Sequence, residues 1–231
     1  MGTNDRVSID MDRITPLLEA IKNVNEYSLN IVRSTKKTIE NFEFENIFDE
    51  ILDFLDQKEI EINALGTVLT EMESSHINAS QRIKSYQSLK EKWNKNLGKS
   101  KQLREVINDI IGIRLIMNRS YEEILLWVNQ LKKDCAYNIK IVDFHEVPKA
   151  RDDGYRGIHV YFKENPMGFP IELQIWNQDD ALLNFYTHDI IYKANKDSSS
   201  AEYGLALRMW LDKIPIMPEG VEIGYITYCA S

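Results

Sequence analysis

The sequence predicts a mixed α/β (α+β) fold: a mixed β-sheet flanked by helices, with a helical N-terminal extension. Three observations carry this reading. Apolar residues in the first part of the chain recur at helical spacing, as in Ile14, Leu17, Leu18, Ile21, Val24, Leu29 and Val32. From residue 110 onward, short apolar runs alternate with amphipathic stretches. Finally, the segment Asp152-Asp153-Gly154-Tyr155-Arg156-Gly157-Ile158-His159 feeds one strand, and Pro170-Ile171-Glu172-Leu173-Gln174-Ile175 returns beside it after a turn at 164–169.

In chain order, residues 9–101 read as mostly helical. A second apolar set, Ile47, Ile51, Leu52, Phe54 and Leu55, accompanies an acidic stretch that runs from Glu40 through Glu43, Glu45, Asp49, Glu50, Asp53, Asp56 and Glu59 to Glu61. That stretch is either a solvated helix face or a docking surface for a basic partner. Around residues 77–84 the helical signal weakens, and Ile77, Ala79, Gln81 and Ile83 alternate with polar residues. Ser85 can cap a helix over 86–96, which Gly98 ends. Residues 110–117 read as a strand, 121–133 as a helix and 138–147 as a strand. Residues 157–162 and 171–176 pair as a hairpin, and 179–193 and 200–211 read as helices. The tail from Ile214 carries two prolines and a strand-like run at 221–228. The expected division is a helical region at 1–75, a mixed-sheet domain at 76–213 and a tail at 214–231.

A formal charge of −8 argues against a protein that coats nucleic acid indiscriminately, while a local basic cleft remains compatible with it. Two cysteines, Cys135 and Cys229, make neither a disulfide framework nor a metal cluster. No secretory leader and no apolar run long enough to span a bilayer is present, so the expected location is the cytoplasm.

Three constellations carry chemistry. In the first, Arg82 and Lys84 share a face if their segment is a strand, while Ser88 and Lys92 share a face of the helix that follows. Cations and a hydroxyl near a helix N-terminus suit a triphosphate; solvent-facing lysines are the plainer alternative. In the second, Asp109 opens an apolar strand, where a hard carboxylate suits Mg²⁺, and Arg114 lies within that strand. A planar guanidinium there can stack on a base, or Asp109 and Arg114 can form a structural ion pair. In the third, Tyr155 offers an aromatic face, His159 follows four residues on, and Glu172 and Gln174 share one face of the returning strand. Glu172 can act as a general base on a hydroxyl, and a hairpin with a satisfied tyrosine and histidine is the alternative. A carboxylate and an amide side by side are costly to bury without partners, so they are expected to line a polar cleft.

Taken together, Arg82-Ile83-Lys84-Ser85, Asp109-Ile110-Ile111-Gly112-Ile113-Arg114, Gly154-Tyr155-Arg156-Gly157-Ile158-His159 and Glu172-Leu173-Gln174-Ile175 resemble, in order and spacing, the synthetase domain of the RelA/SpoT family. The resemblance covers residues 80–193. It implies a nucleotidyltransferase-like sheet and an enzyme that moves the β,γ-pyrophosphate of ATP onto a 3′-hydroxyl. By that resemblance, Arg82 and Arg114 sandwich the adenine, Lys84, Ser88 and Lys92 hold the phosphates, and Asp109 binds Mg²⁺, which Glu172 shares. Tyr155 stacks on the acceptor base, His159 lies near phosphates, Glu172 activates the 3′-hydroxyl and Gln174 supports it. Lys149 or Arg151 supplies the basic residue before the glycine turn.

The chain departs from the family pattern on the acceptor side. A basic residue of E-x-Q-I-R is Trp176, the serine of G-Y-x-S is Gly157, and W-A-x-x-E-H becomes Leu183-Asn184-Phe185-Tyr186-Thr187-His188. Losing a cation should weaken an acceptor with a free 5′-polyphosphate, and Trp176 can instead stack on a base. The resemblance therefore points to a stand-alone small synthetase of the toxin branch, with the 3′-CCA end of tRNA as favoured acceptor. GDP or GTP is the alternative acceptor, and a degenerate nucleotide- or partner-binding module is a second alternative. Lys22, Arg33, Lys36, Lys37, Lys95, Lys99, Lys101 and Arg104 are candidate tRNA contacts, an antitoxin is an expected partner, and a homo-oligomer is compatible with the family.

Overall fold

The computed structural model describes residues 13–30, 34–135, 138–148, 153–163, 165–186 and 198–211. Helix α1 (Ile14–Asn25) is followed by a short 3-10 turn (Ile39–Asn41), α2 (Phe44–Gln57) and α3 (Glu59–Met72). Strand β1 (Ile77–Ile83) leads into α4 (Tyr86–Asn96) and the single turn α5 (Leu103–Val106). Then come β2 (Ile111–Met117), α6 (Tyr121–Asp134), β3 (Ile139–Asp143), β4 (Ile158–Phe162), β5 (Ile171–Asn177), α7 (Gln178–Phe185) and α8 (Ser198–Leu211).

The five strands form one mixed sheet in the order β1-β2-β5-β4-β3. Only β2 and β5 run parallel; the other neighbours are antiparallel, and β4 and β5 form the expected hairpin with Phe162 opposite Ile171. Period-two alternation gives the sheet two unlike faces. One carries Ile111, Ile113 and Leu115 of β2, Ile171, Leu173 and Ile175 of β5, and Ile158, Val160 and Phe162 of β4, all buried. The other carries Arg82, Gly112 and Arg114, then Glu172, Gln174 and Trp176, then His159 and Tyr161.

The apolar face shares one continuous core with the N-terminal helices, since Ile14, Leu17, Ile21, Ile47, Ile51, Leu65 and Leu69 cluster with the strand residues. Helix α3 lies against both α1 and β1. The N-terminal segment also grips the hairpin turn: Leu29 donates its backbone N–H to Met167 O at 2.9 Å and Thr35 to Pro166 O at 2.8 Å. The weakened helical signal and loose alternation at 77–84 are thus an edge strand, 77–83, within the stretch over 9–101 expected to be mostly helical. Its alternation is weak because Arg82 and Ile83 at its end are exposed. Helix α1 also stops at Asn25, so the helical spacing that reaches Leu29 in the sequence does not continue in the backbone.

Ser85 caps α4, accepting the Ser88 N–H, and the expected strand over 138–147 ends at Asp143 in a turn. In the acidic stretch most carboxylates are exposed, but Glu50 is buried and accepts the Asn30 N–H at 2.8 Å, so it is not part of a solvated face. Among the described residues no helix is long and apolar enough to cross a membrane. Lys149, Arg151, Arg33, His188 and Cys229, the expected helix beyond residue 186 and the strand-like run at 221–228 lie outside the described residues.

Candidate active site

The polar face is built where β1 hands over to α4 and where β2 begins. The β1–β2 ladder continues one step past Ile83, because Lys84 donates its N–H to Ile110 O at 2.8 Å. That step sets Lys84 beside Asp109. The buried Asp109 carboxylate takes the Lys84 ammonium on Oδ2 and the Lys92 ammonium on Oδ1 at 3.0 Å. Lys92 also reaches Asn108 Oδ1 at 2.5 Å. Burial pulls the Lys92 pKa below its ordinary value, and the Asp109 charge opposes that fall. The alternative of an Asp109–Arg114 ion pair is therefore replaced by two lysine partners. Ser88 sits at the start of α4, its hydroxyl accepting from Ser85 Oγ at 3.1 Å. Arg82 is exposed on β1 opposite Gly112, next to the strand that bears Arg114.

Glu172 is buried and well supplied with donors. His159 Nδ1 lies 3.1 Å from its Oε1, and Gln174 donates Nε2–H to Oε2 at 2.9 Å. Burial pushes its pKa up, but the His159 hydrogen bond and charge, with bonds from Tyr161 and Gln174, outweigh this and hold it at about 2. The expected polar cleft is thus a buried carboxylate hydrogen-bonded to His159, Tyr161 and Gln174. Gln174 in turn accepts two bonds from Arg114, from Nε at 3.3 Å and Nη2 at 3.1 Å.

The chain of contacts continues through His159, whose Nε2 lies 2.5 Å from the Tyr155 hydroxyl, and Trp176 donates Nε1–H to that hydroxyl at 2.7 Å. The contacts thus run unbroken from the Trp176 indole through the Tyr155 hydroxyl and the His159 ring to the Glu172 carboxylate. The loop closes because the Arg114 guanidinium stands 3.9 Å from the centre of the Trp176 ring. Tyr155 is buried, with its ring edge-to-face against Phe144 and Trp176. Trp176 is only 3% exposed, so the indole expected to offer a face to a base gives that face to Arg114 instead.

Sequence reasoning missed two residues of this region. Tyr161 shares the face with Glu172 as its register partner, and its hydroxyl lies 3.2 Å from His159 Nδ1. Burial, with Glu172 beside it, raises its pKa. Counting two residues on from His159 would have found it. Arg208 of α8 is buried; it donates Nε–H to Gly154 O at 2.9 Å and pairs with Asp180. It therefore fixes the turn before Tyr155 from a distant helix, and no local pattern marks it.

Among the described residues no group of three or more His, Cys, Asp or Glu is placed to hold a metal. A magnesium ion that takes phosphate oxygens needs only one or two carboxylates, and Asp109 and Glu172 are both buried beside this face.

Residues 81–197, just over half of the chain, match the family model of the region found in RelA / SpoT proteins. Solved structures similar to this chain include small alarmone synthetase 2 from Bacillus subtilis, at 24% identity and TM-score 0.44, over 72% of this chain and 91% of that one. Small alarmone synthetase 1 from the same organism, bound to its product pppGpp, is similar at 19% identity and TM-score 0.47, over 75% and 91%. A GTP pyrophosphokinase family protein from Streptococcus pneumoniae is similar at 19% identity and TM-score 0.44, over 75% and 93%. No curated protein matches.

Proposed function

The chain belongs to the RelA/SpoT family and is a pyrophosphotransferase; from that premise we propose that it moves the β,γ-pyrophosphate of ATP to the 3′-hydroxyl at the CCA end of tRNA, and so acts as a translation-inhibiting toxin held in check by an antitoxin. The observation that carries the reaction is the polar sheet face, where two buried carboxylates, Asp109 and Glu172, stand with Lys84 and Lys92 beside an exposed Arg82. In phosphoryl-type transfer, positioning and charge neutralisation do most of the work.

Arg82 and Arg114 take the adenine; Lys84, Ser88 and Lys92 take the phosphates. Asp109 and Glu172 are the residues that would hold Mg²⁺, which neutralises charge on the phosphate oxygens when bound. The acceptor oxygen attacks the β-phosphorus, the bond from that phosphorus to the α-phosphate oxygen breaks, and AMP leaves. His159 and Gln174 take the acceptor, with Lys149 or Arg151 nearby in sequence; the Tyr155 ring, expected to stack on the acceptor base, is instead buried edge-on against Phe144 and Trp176 and in this reading anchors His159. A carboxylate held at about 2 is an acceptor that orients the 3′-hydroxyl. For Glu172 to take the proton, its hydrogen bond from His159 must yield as the acceptor enters.

Support for a polyanionic acceptor comes from a basic track on an otherwise acidic chain. Backbone bonds tie the segment of Lys36 and Lys37 to that of Lys101 and Arg104: Ile39 N–H to Lys101 O at 2.9 Å, Leu103 N–H to Lys37 O at 2.8 Å. Burial holds the Lys163 pKa below its ordinary value, helped by Lys140 and Arg104 and opposed by Glu105. Lys140 is the β3 partner of Tyr161, the neighbour of Glu172.

The test incubates the protein with γ-labelled ATP and Mg²⁺ and offers deacylated tRNA, GDP and GTP separately. Label on tRNA that is lost on removing the CCA end or in Glu172→Ala supports the proposal. Label on GDP or GTP alone replaces it with alarmone synthesis, and no transfer to any acceptor leaves a binding module. Growth arrest on expression, relieved by Asp109→Ala, is the matching result in cells.

A further inference from the structure

Two of the departures from the family pattern meet at one point in space. A Cβ on Gly157 would lie 2.7 Å from Trp176 Cδ1, 3.0 Å from Trp176 Nε1 and 3.2 Å from the Tyr155 hydroxyl. The indole therefore occupies the volume that any side chain at 157 would need, and it can do so only because 157 is glycine. The ring is buried, its N–H is committed to Tyr155 at 2.7 Å, and its face is covered by the Arg114 guanidinium at 3.9 Å, with Phe185 edge-on to the ring at 5.2 Å. Through Tyr155 and His159 the same contact reaches Glu172.

We propose that Gly157 and Trp176 are a single acceptor-selecting unit: the indole seated over Gly157 anchors Tyr155 and replaces a cation on the acceptor side of the face with a buried, neutral ring. An indole whose only donor is already committed offers a 5′-polyphosphate nothing, whereas a guanidinium at the same position would give a charge-assisted contact. The unit thus disfavours free nucleotides carrying a 5′-polyphosphate relative to an acceptor whose 5′ side is a phosphodiester. Trp176 acts through Tyr155 and Arg114, which makes it a positioning residue rather than a catalytic one.

This inference rests on the pyrophosphokinase reading proposed above, and the experiment separates the two. The full chain, the double variant Gly157→Ser/Trp176→Arg, each single variant and Trp176→Phe are purified and checked for folding by thermal melting. For each, kcat/KM is measured with tRNA and with GTP at saturating ATP, and the ratio of the two is compared. Loss at the ATP site, where Arg114 loses its ring, is read separately from the KM for ATP of each variant.

The double variant is expected to shift the ratio toward GTP by about tenfold or more, the scale of one charge-assisted hydrogen bond. Gly157→Ser alone should lose activity with both acceptors, because its side chain meets the indole, and adding Trp176→Arg should recover part of it. Trp176→Phe keeps a ring and removes the N–H. It should raise the acceptor KM more than it lowers kcat, and it serves as the test if the double variant does not fold. An unchanged acceptor ratio in the double variant, or additive effects of the two single changes, overturns the inference. If the unaltered chain transfers label to neither acceptor, it is the proposed function that fails.

Discussion

Glu172 concentrates the chemistry of the site into one titration. Its carboxyl sits at about 2 against an ordinary value of 4.5, because its hydrogen-bond partners outweigh its burial. A depressed carboxylate pKa stabilises the fold at pH values above the unfolded pKa, and that stability is lost as pH falls through the folded value. Roughly 3 kcal/mol should therefore be present at neutral pH and disappear between about pH 5 and pH 2. Urea denaturation followed across that window should show a shallower slope in Glu172→Gln than in the unaltered chain; parallel slopes would mean that the network does not hold the carboxylate. Asp109 carries a different expectation. Asp109→Asn leaves Lys84 and Lys92 facing a neutral amide, and transfer should fall by about 10²–10³-fold, the scale for removing a preorganised electrostatic group. Single-turnover rates at saturating ATP would distinguish a loss in chemistry from weaker ATP binding.

At the scale of elements, the acceptor side is held from behind by α8. Gly154 has φ of +78°, and a Cβ there would stand 2.5 Å from Gly204 O of α8, while Arg208 of the same helix binds Gly154 O and Asp180. Gly154→Ala should cost at least about 1–2 kcal/mol for the backbone angle alone, with the steric contact added to it. In a thermal melt and a kinetic assay, the variant should lower Tm and raise the acceptor KM while leaving the ATP KM near its starting value. An equal rise in both KM values would show that the helix supports the whole face rather than the turn before Tyr155. What the sequence made legible follows from the same geometry. The β4–β5 hairpin and the Asp109 and Glu172 positions were readable because strand alternation and short motifs are local signals. Arg208 was not, because it lies 54 residues from the Gly154 carbonyl it binds and looks like any polar residue on a helix. The role of Trp176 was misread for a related reason: an aromatic at a motif position suggests a base platform, and only the register with Ile116 and the stack with Arg114 reveal a filled interior. Strand β1 was legible only as a weakened helical signal with loose alternation, because an edge strand with exposed residues at its end lacks a clean pattern.

The molecule as a whole divides its labour between the two faces of one sheet, with the N-terminal helices sharing the core of the apolar face and the charged groups gathered on the other. Because the segment after α1 also grips the hairpin turn at Met167 and Pro166, the N-terminal region brings Lys36 and Lys37 beside Lys101 and Arg104 as part of the same folded body. A chain with net charge −8 should repel a polyanion unless such a local track engages it, so ionic strength tests the track directly. If Lys36, Lys37, Lys101, Arg104 and Lys163 contact RNA phosphates, each neutralised phosphate contributes about 0.7–0.9 to the slope of log affinity against log salt. The KM for tRNA should then rise by roughly 10²-fold between about 50 and 200 mM salt, with the KM for GTP moving far less. Replacing Lys36 and Lys101 together by alanine should lower that slope by about two and weaken all tRNAs alike, as expected of backbone contacts. A salt slope unchanged by the double replacement would place the RNA on another surface, and a tRNA KM indifferent to salt would leave the acidic chain with no electrostatic means of capturing it.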